Sequence, residues 1–216
     1  MNYLSYPHKS AEYFYNTEIP IDFQGCRAIV RQDGSDQLTL TTVQDLGAVV
    51  AAAIEFEGEW PEVGGIRGGQ ITLAELIELG EKVRGEWLNQ LPTKWQFLQL
   101  GSNSWFSWIL RLQTGKPFTV DRVANAELDS GVLETSWVPS YEHPNVTVAD
   151  LEKNLPSPGA TAIDLKEAFS RLVISGTLLA LKNGAWDVSD EWNQLLPQLK
   201  LTGIEEFVRK VWEDKA

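Results

Sequence analysis

The chain has 216 residues, 43% of them hydrophobic, and a formal net charge of −12. That length can bury a real core in one domain, while the acidity excludes a nucleic-acid groove or a polybasic membrane patch, both of which need clustered Lys and Arg. The single cysteine, Cys26, makes no internal disulfide, and with only His8 and His143 to join it, no zinc site.

Cytosolic residence is therefore the expectation. The first residues, MNYLSYPHKS, contain no apolar signal region, and no apolar run approaches the roughly 20 residues of a membrane span. In chain order, Tyr3, Tyr6, Tyr13, Phe14 and Tyr15 crowd the start. Amphipathic aromatics at this density either line a cavity or cover a core edge with their hydroxyls in water. Ile19-Pro20-Ile21 reads as a linker. Arg27–Arg31 alternates as a strand, Asp33-Gly34 is a turn signal, and Gln37–Leu40 alternates again, which predicts a β-hairpin.

Thr42 can cap a helix with Asp45 as the reciprocal acceptor, and Val43, Leu46, Val49, Val50, Ala53 and Ile54 then fall on one side of a 3.6-residue period. A Trp60-Pro61 break follows, and Gly64-Gly65-Ile66-Arg67-Gly68 reads as a brief strand. Thr72 and Glu75 form a capping box for a second helix, whose stripe is Leu73, Leu76, Ile77 and Val83 and whose stop is Gly85. Its Glu75, Glu78 and Glu81 face water.

Beyond the next stretch, Pro117–Val123 alternates as a strand, Ala124–Leu133 reads as a short helix, and Thr147–Asp150 starts a helical turn. From Thr161 to Asn183-Gly184 the pattern is strongly helical, with Leu165, Phe169, Leu172, Val173, Leu178 and Leu179 mostly on one side. A last amphipathic helix places Ile204, Phe207, Val208 and Val211 on one stripe before Trp212.

The phrases Thr42-x-x-Asp45-Leu46-Gly47, the Trp-Pro break, Ile71-Thr72-Leu73-Ala74-Glu75-Leu76 and Glu81-Lys82-Val83-x-Gly85, in this order, resemble the post-cofactor half of NmrA-like proteins. These are atypical short-chain dehydrogenases that include the isoflavone-reductase-like enzymes. Gly115–Val120, Gly184-x-x-Asp187, Asn193-x-x-x-Pro197 and the closing helix extend the resemblance over nearly the whole chain. It implies an α/β fold: an incomplete NAD(P)-binding Rossmann-like domain lacking its N-terminal nucleotide-binding strands, mostly helices with short strands and a hairpin. Residues 1–216 would form a single substrate-side domain. Asn2-Tyr3-Leu4 would match a family phrase beside the substrate cavity, making Tyr3, Tyr6 and His8 the candidate substrate-binding residues.

One stretch departs from the family pattern. Residues 86–114 hold four of the nine tryptophans but only three charges, Glu86, Lys94 and Arg111. In the family the two phrases on either side of this stretch are contiguous. Gly85-Glu86 can be encoded as a splice donor and Thr114-Gly115 as an acceptor in the same phase. The stretch is read either as a retained intron, whose removal restores one glycine between Arg84 and Lys116, or as a genuine Trp-rich insertion.

Catalytic chemistry is not legible. There is no Gly-x-Gly-x-x-Gly, Walker loop, Tyr-x-x-x-Lys, Gly-x-Ser-x-Gly or His-Glu-x-x-His, so no catalytic residue is named. No cofactor is expected for this chain alone, whereas NADP or NAD would serve its intact relatives. Three functions remain open. The chain is a truncated relative of NAD(P)-dependent small-molecule oxidoreductases, supplying the substrate side of the pocket; a non-enzymatic dinucleotide-sensing or regulatory protein; or an inert product. The expected partners are a small-molecule substrate in relatives and, because the helices outnumber the strands available to cover them, a second chain meeting an uncovered apolar face.

Overall fold

The computed structural model describes residues 1–5, 20–32, 34–86, 116–130, 133–139, 146–155 and 161–212. A 3-10 turn, Asn2–Ser5, is followed by β1 (Ile21–Asp22), β2 (Arg27–Arg31), β3 (Gln37–Leu40), α1 (Val43–Ile54), β4 (Gly69–Thr72) and α2 (Leu73–Glu86). Then come β5 (Thr119–Val123), α3 (Asn125–Ser130), α4 (Val148–Asn154), α5 (Ala162–Lys182), α6 (Glu191–Leu195) and α7 (Ile204–Trp212). The protein is thus mixed α/β, with short sheets. Among the described residues no helix is long and apolar enough to cross a membrane. The stretch 86–114 lies outside them, apart from Glu86 at the end of α2.

Both strands of the expected hairpin exist, but they do not pair with each other. β2 lies between β1, antiparallel at Arg27 and Ala28 (Ile21 opposite Ala28), and β5, parallel along its whole length (Ile29 opposite Asp121). β3 instead runs antiparallel to β4, Leu38 opposite Ile71. The chain leaves β2 through Gln32, in the left-handed region at φ 42°, whose amide donates to Val123 O and so continues the β5 pairing. Gly34 O then accepts from Ala74 N at 3.0 Å, and buried Asp36 closes an ion pair with Arg31 while its carbonyl accepts from Leu73 N. Gly34 and Asp36 are therefore held against the start of α2.

Ala28, Ile29 and Val30 are all fully buried, as expected of a strand flanked on both edges and covered on both faces. α2 contributes Leu73, Leu76, Ile77 and Val83 to the same core, α5 contributes Ile174, Leu178 and Leu181, and α7 contributes Ile204, Phe207, Val208, Val211 and Trp212. The α5 stripe differs from its expectation. Ile174 lies at its centre, while Leu172 is exposed, because the face of α5 that joins the main core runs through residues 174, 178 and 181.

Threonine–acid pairs start three helices. Thr72 and Glu75, Thr147 and Asp150, and Thr161 and Asp164 exchange hydrogen bonds in both directions. The carboxyls of Glu75 and Asp164 are held below their ordinary values chiefly by the threonine amide, and that of Asp150 chiefly by the threonine hydroxyl. At α1 the box is only half made. Thr42 Oγ1 accepts from Asp45 N, but the Asp45 carboxylate turns to Thr202 N at 2.9 Å. Glu81 also departs from its expected solvent-facing role, accepting from Phe118 N at 2.9 Å.

The two ends of the described chain meet at Trp212. Its indole N–H donates to Leu4 O at 2.7 Å, its ring stacks on Phe23 at 5.8 Å, and the Arg84 guanidinium lies 4.8 Å over it. Trp212→Ala is expected to destabilise the protein by about 3–5 kcal/mol, and Trp212→Phe, which loses chiefly the hydrogen bond, by about 1 kcal/mol. Chemical denaturation of both variants checks the ordering; equal losses would mean that the ring contributes little.

Candidate functional site

The glycine cluster is the one place where the sequence offers closely spaced bare backbone. It does not form the expected strand at 64–68. Gly65 N donates to Glu191 Oε2 at 3.0 Å, Arg67 N to Asn193 Oδ1 at 2.9 Å, and Gly68 N to Thr41 Oγ1 at 3.1 Å. In return Asn193 Nδ2 donates to Arg67 O at 2.8 Å and Trp192 N to Gly65 O. The α6 side chains thus do for this extended segment what a neighbouring strand would do in a sheet. Gly65 is required by close approach, since a Cβ there would lie 2.3 Å from Ser189 O.

The Arg67 guanidinium adds a clamp, donating from Nε and Nη2 to Val188 O at 2.9 and 2.6 Å. The Glu191 carboxyl is held below its ordinary range, first by the Ser189 hydroxyl and also by Gly65 N and the Arg67 charge. Behind this dock Val49, Ala53, Trp192 and Leu196 form a second small core, with Phe56 and Trp60 meeting Trp192 edge-on at 5.7 and 5.1 Å.

A narrow cleft opens between β1, β3, the start of α2 and α5. It is lined by Pro20, Ile21, Leu38, Leu73, Leu181 and Trp186, with Thr177 as the one hydroxyl. Thr177 Oγ1 already donates to Val173 O at 2.9 Å within its own helix. The cleft holds about 10 Å³, room for roughly one water, and none of its lining side chains titrates. It offers apolar contact without acid, base or nucleophile.

Of the candidate substrate residues, Tyr3 sits half-buried on the N-terminal turn and is not among the residues lining this cleft. Tyr6 and His8 lie outside the described residues. Cys26 is buried, in the left-handed region at φ 49°, its thiol directed to Phe23 O at 3.6 Å. Among the described residues no group of three or more His, Cys, Asp or Glu is placed to hold a metal. Sequence reading singled out Asn193 only as part of a family phrase. Nothing in the sequence marks Glu191, which accepts from Gly65 N across more than a hundred residues of chain, or Ser189, whose hydroxyl donates to the Glu191 carboxylate.

No family model, curated protein or solved structure matches the chain.

Asn193→Ala leaves both the amide and the carbonyl of Arg67 without their side-chain partners, and it is expected to destabilise the protein by about 1–3 kcal/mol. Hydrogen exchange at the Arg67 amide should rise more than at Ile29 in β2; equal change at both would show that the dock has no local role.

Proposed function

We propose that this chain corresponds to the post-cofactor, substrate-side portion of an NmrA-like protein, related to NAD(P)-dependent reductases of small molecules, and that it has no dinucleotide site of its own. One observation carries the reading: the family-like phrases keep their order, and several of them coincide with folded units. Thr42-x-x-Asp45-Leu46-Gly47 opens α1, Ile71–Leu76 joins β4 to α2 through a capping box, and Phe118-Thr119-Val120 enters a strand parallel to β2. Asn193 of the Asn-x-x-x-Pro phrase holds the Arg67 backbone. A parallel pair joined through helices is the arrangement a Rossmann-like sheet uses. The reading of the cofactor side rests on the glycine cluster, whose amides at 65, 67 and 68 already donate to protein acceptors. Calorimetric titration with NADPH and with NADH tests it. No saturable heat is expected, and tight binding by this chain alone would overturn the proposal.

A second reading, an interaction protein, is favoured by α1. Val43, Leu46, Val50 and Ile54 share a helical face and are 41–74% exposed, with Trp60 and Val63 exposed just beyond. Apolar stripes of this kind mark association sites more often than bare surface. Self-association through this face is expected to appear as a mass that rises with concentration in light scattering. Val50→Glu combined with Ile54→Glu should hold the protein monomeric while shifting stability by no more than about 0.5 kcal/mol per site. A wild-type mass independent of concentration would remove this reading.

A further inference from the structure

The end of α5 shows how this protein closes a helix. Gly184 takes φ 72°, its amide donates to Leu181 O at 3.0 Å, and the amide of Ala185 reaches back five residues to Ala180 O at 2.9 Å. This is the glycine-terminated cap in which the residue after the glycine donates to the carbonyl five positions earlier.

The same construction is present, in pieces, where α2 meets β5. The amide of Lys116 donates to Glu81 O at 3.1 Å. Counting from Glu81 as from Ala180, the glycine of the cap falls on Gly85, and the next residue is the one whose amide should reach Glu81 O. In the chain as encoded that residue is Glu86, and α2 runs on to it. In space, however, the position is held by Lys116. Pro117, which cannot continue a helix, follows at the place where such caps often carry one. Phe118 N then donates to Glu81 Oε1 at 2.9 Å, and the Phe118 ring lies so close to Gly80 that a Cβ there would come within 2.8 Å of it. The polypeptide therefore re-enters the fold one residue's place beyond where it departs.

We propose that residues 86–115 are an insertion the fold does not use, and that the complete helix end is the contiguous chain Glu81-Lys82-Val83-Arg84-Gly85-Lys116-Pro117-Phe118, with Gly85 left-handed and Lys116 donating to Glu81. An integral loop would contribute the cap of the helix that precedes it. Here the amide that reaches Glu81 O comes from beyond the segment, and the glycine such a cap needs stands immediately before it. The contacts among residues 80–85 and 116–118, and their match to the α5 end, are independent of any family resemblance.

Thermal unfolding of the full chain and of a variant lacking residues 86–115 tests the proposal. The shortened chain is expected to unfold cooperatively, with a Tm equal to or above that of the full chain. A shortened chain that is unfolded, or that melts several degrees lower, overturns the proposal. Gly85→Ala provides the second arm. In the shortened chain the alanine is forced into the left-handed region and should lower Tm by about 2–4 °C, whereas in the full chain, where Gly85 lies within α2, the drop should be smaller. Equal drops in both backgrounds would show that no such cap forms. At the level of the message, a transcript joining codon 85 to codon 116 is the expected mature form.

Discussion

The constraint on which the rest depends is the parallel pairing of Arg27–Arg31 with Thr119–Val123. A parallel partner cannot be reached by a tight turn, so everything from Gln32 to Phe118 is in effect one crossover. Ordering so long a connection costs more chain entropy before its contacts form than a hairpin does. The structure offsets this with contacts at both ends of β2. Gln32 N donates to Val123 O at one end, and Thr119 N donates to Cys26 O at the other. Among the described residues the two non-glycine residues at positive φ, Cys26 and Gln32, bracket this strand. Their backbone strain, about 1–2 kcal/mol each, is sustained because β5 fixes both carbonyl and amide in place.

Because β5 satisfies the second edge of β2, the crossover elements are sorted by what remains. β3 and β4 must make their own two-stranded sheet. α2 lies where its capping box, the Asp36 carbonyl and the Gly34 carbonyl all meet its first turn. α7 then closes the core with Trp212 against Leu4, Phe23 and Arg84. The cleft beside Leu38 and Trp186 is about the size of one water. α1 lies apart from this main core: it packs through Val49 and Ala53 on Trp192 and Leu196, its Asp45 carboxylate accepts from Thr202 N, and Val43, Leu46, Val50 and Ile54 stay in solvent.

Local signals were legible in the sequence wherever the physics is local. Thr-x-x-acid spacing marks the starts of α2, α4 and α5, the stripe of Ile204, Phe207, Val208 and Val211 marks α7, and Asn183-Gly184 marks the stop of α5. What failed depends on partners far along the chain. Asp33-Gly34 looks like a hairpin turn, yet β2 takes Thr119–Val123 as its full-length partner and β3 takes β4. The Asp45 carboxylate, suited to a cap, is drawn instead to Thr202. Gly64–Gly68 has strand-like composition, but its hydrogen bonds go to Glu191 and Asn193. At the candidate site the limit is the same: a glycine run announces bare amides but not the acceptors that reach them.

Those acceptors bear on what the glycine loop can hold. A phosphate needs several amides pointing at one anion, in surroundings free of negative charge. Here the amides at 65, 67 and 68 point to three different acceptors, and one of these is already an anion. Glu191, stabilised by the Ser189 hydroxyl and the Gly65 amide, stays ionised well below neutral pH. An incoming phosphate would have to displace this carboxylate and then remain within a few ångströms of it, where like charges repel. Arg67, the nearest cation, cannot readily compensate, because its guanidinium is fixed to the Val188 carbonyl by two hydrogen bonds. The same residues that let an isolated extended segment fold without a sheet partner therefore make it a poor cradle for an anion, and here structural need and dinucleotide chemistry compete for the same few amides.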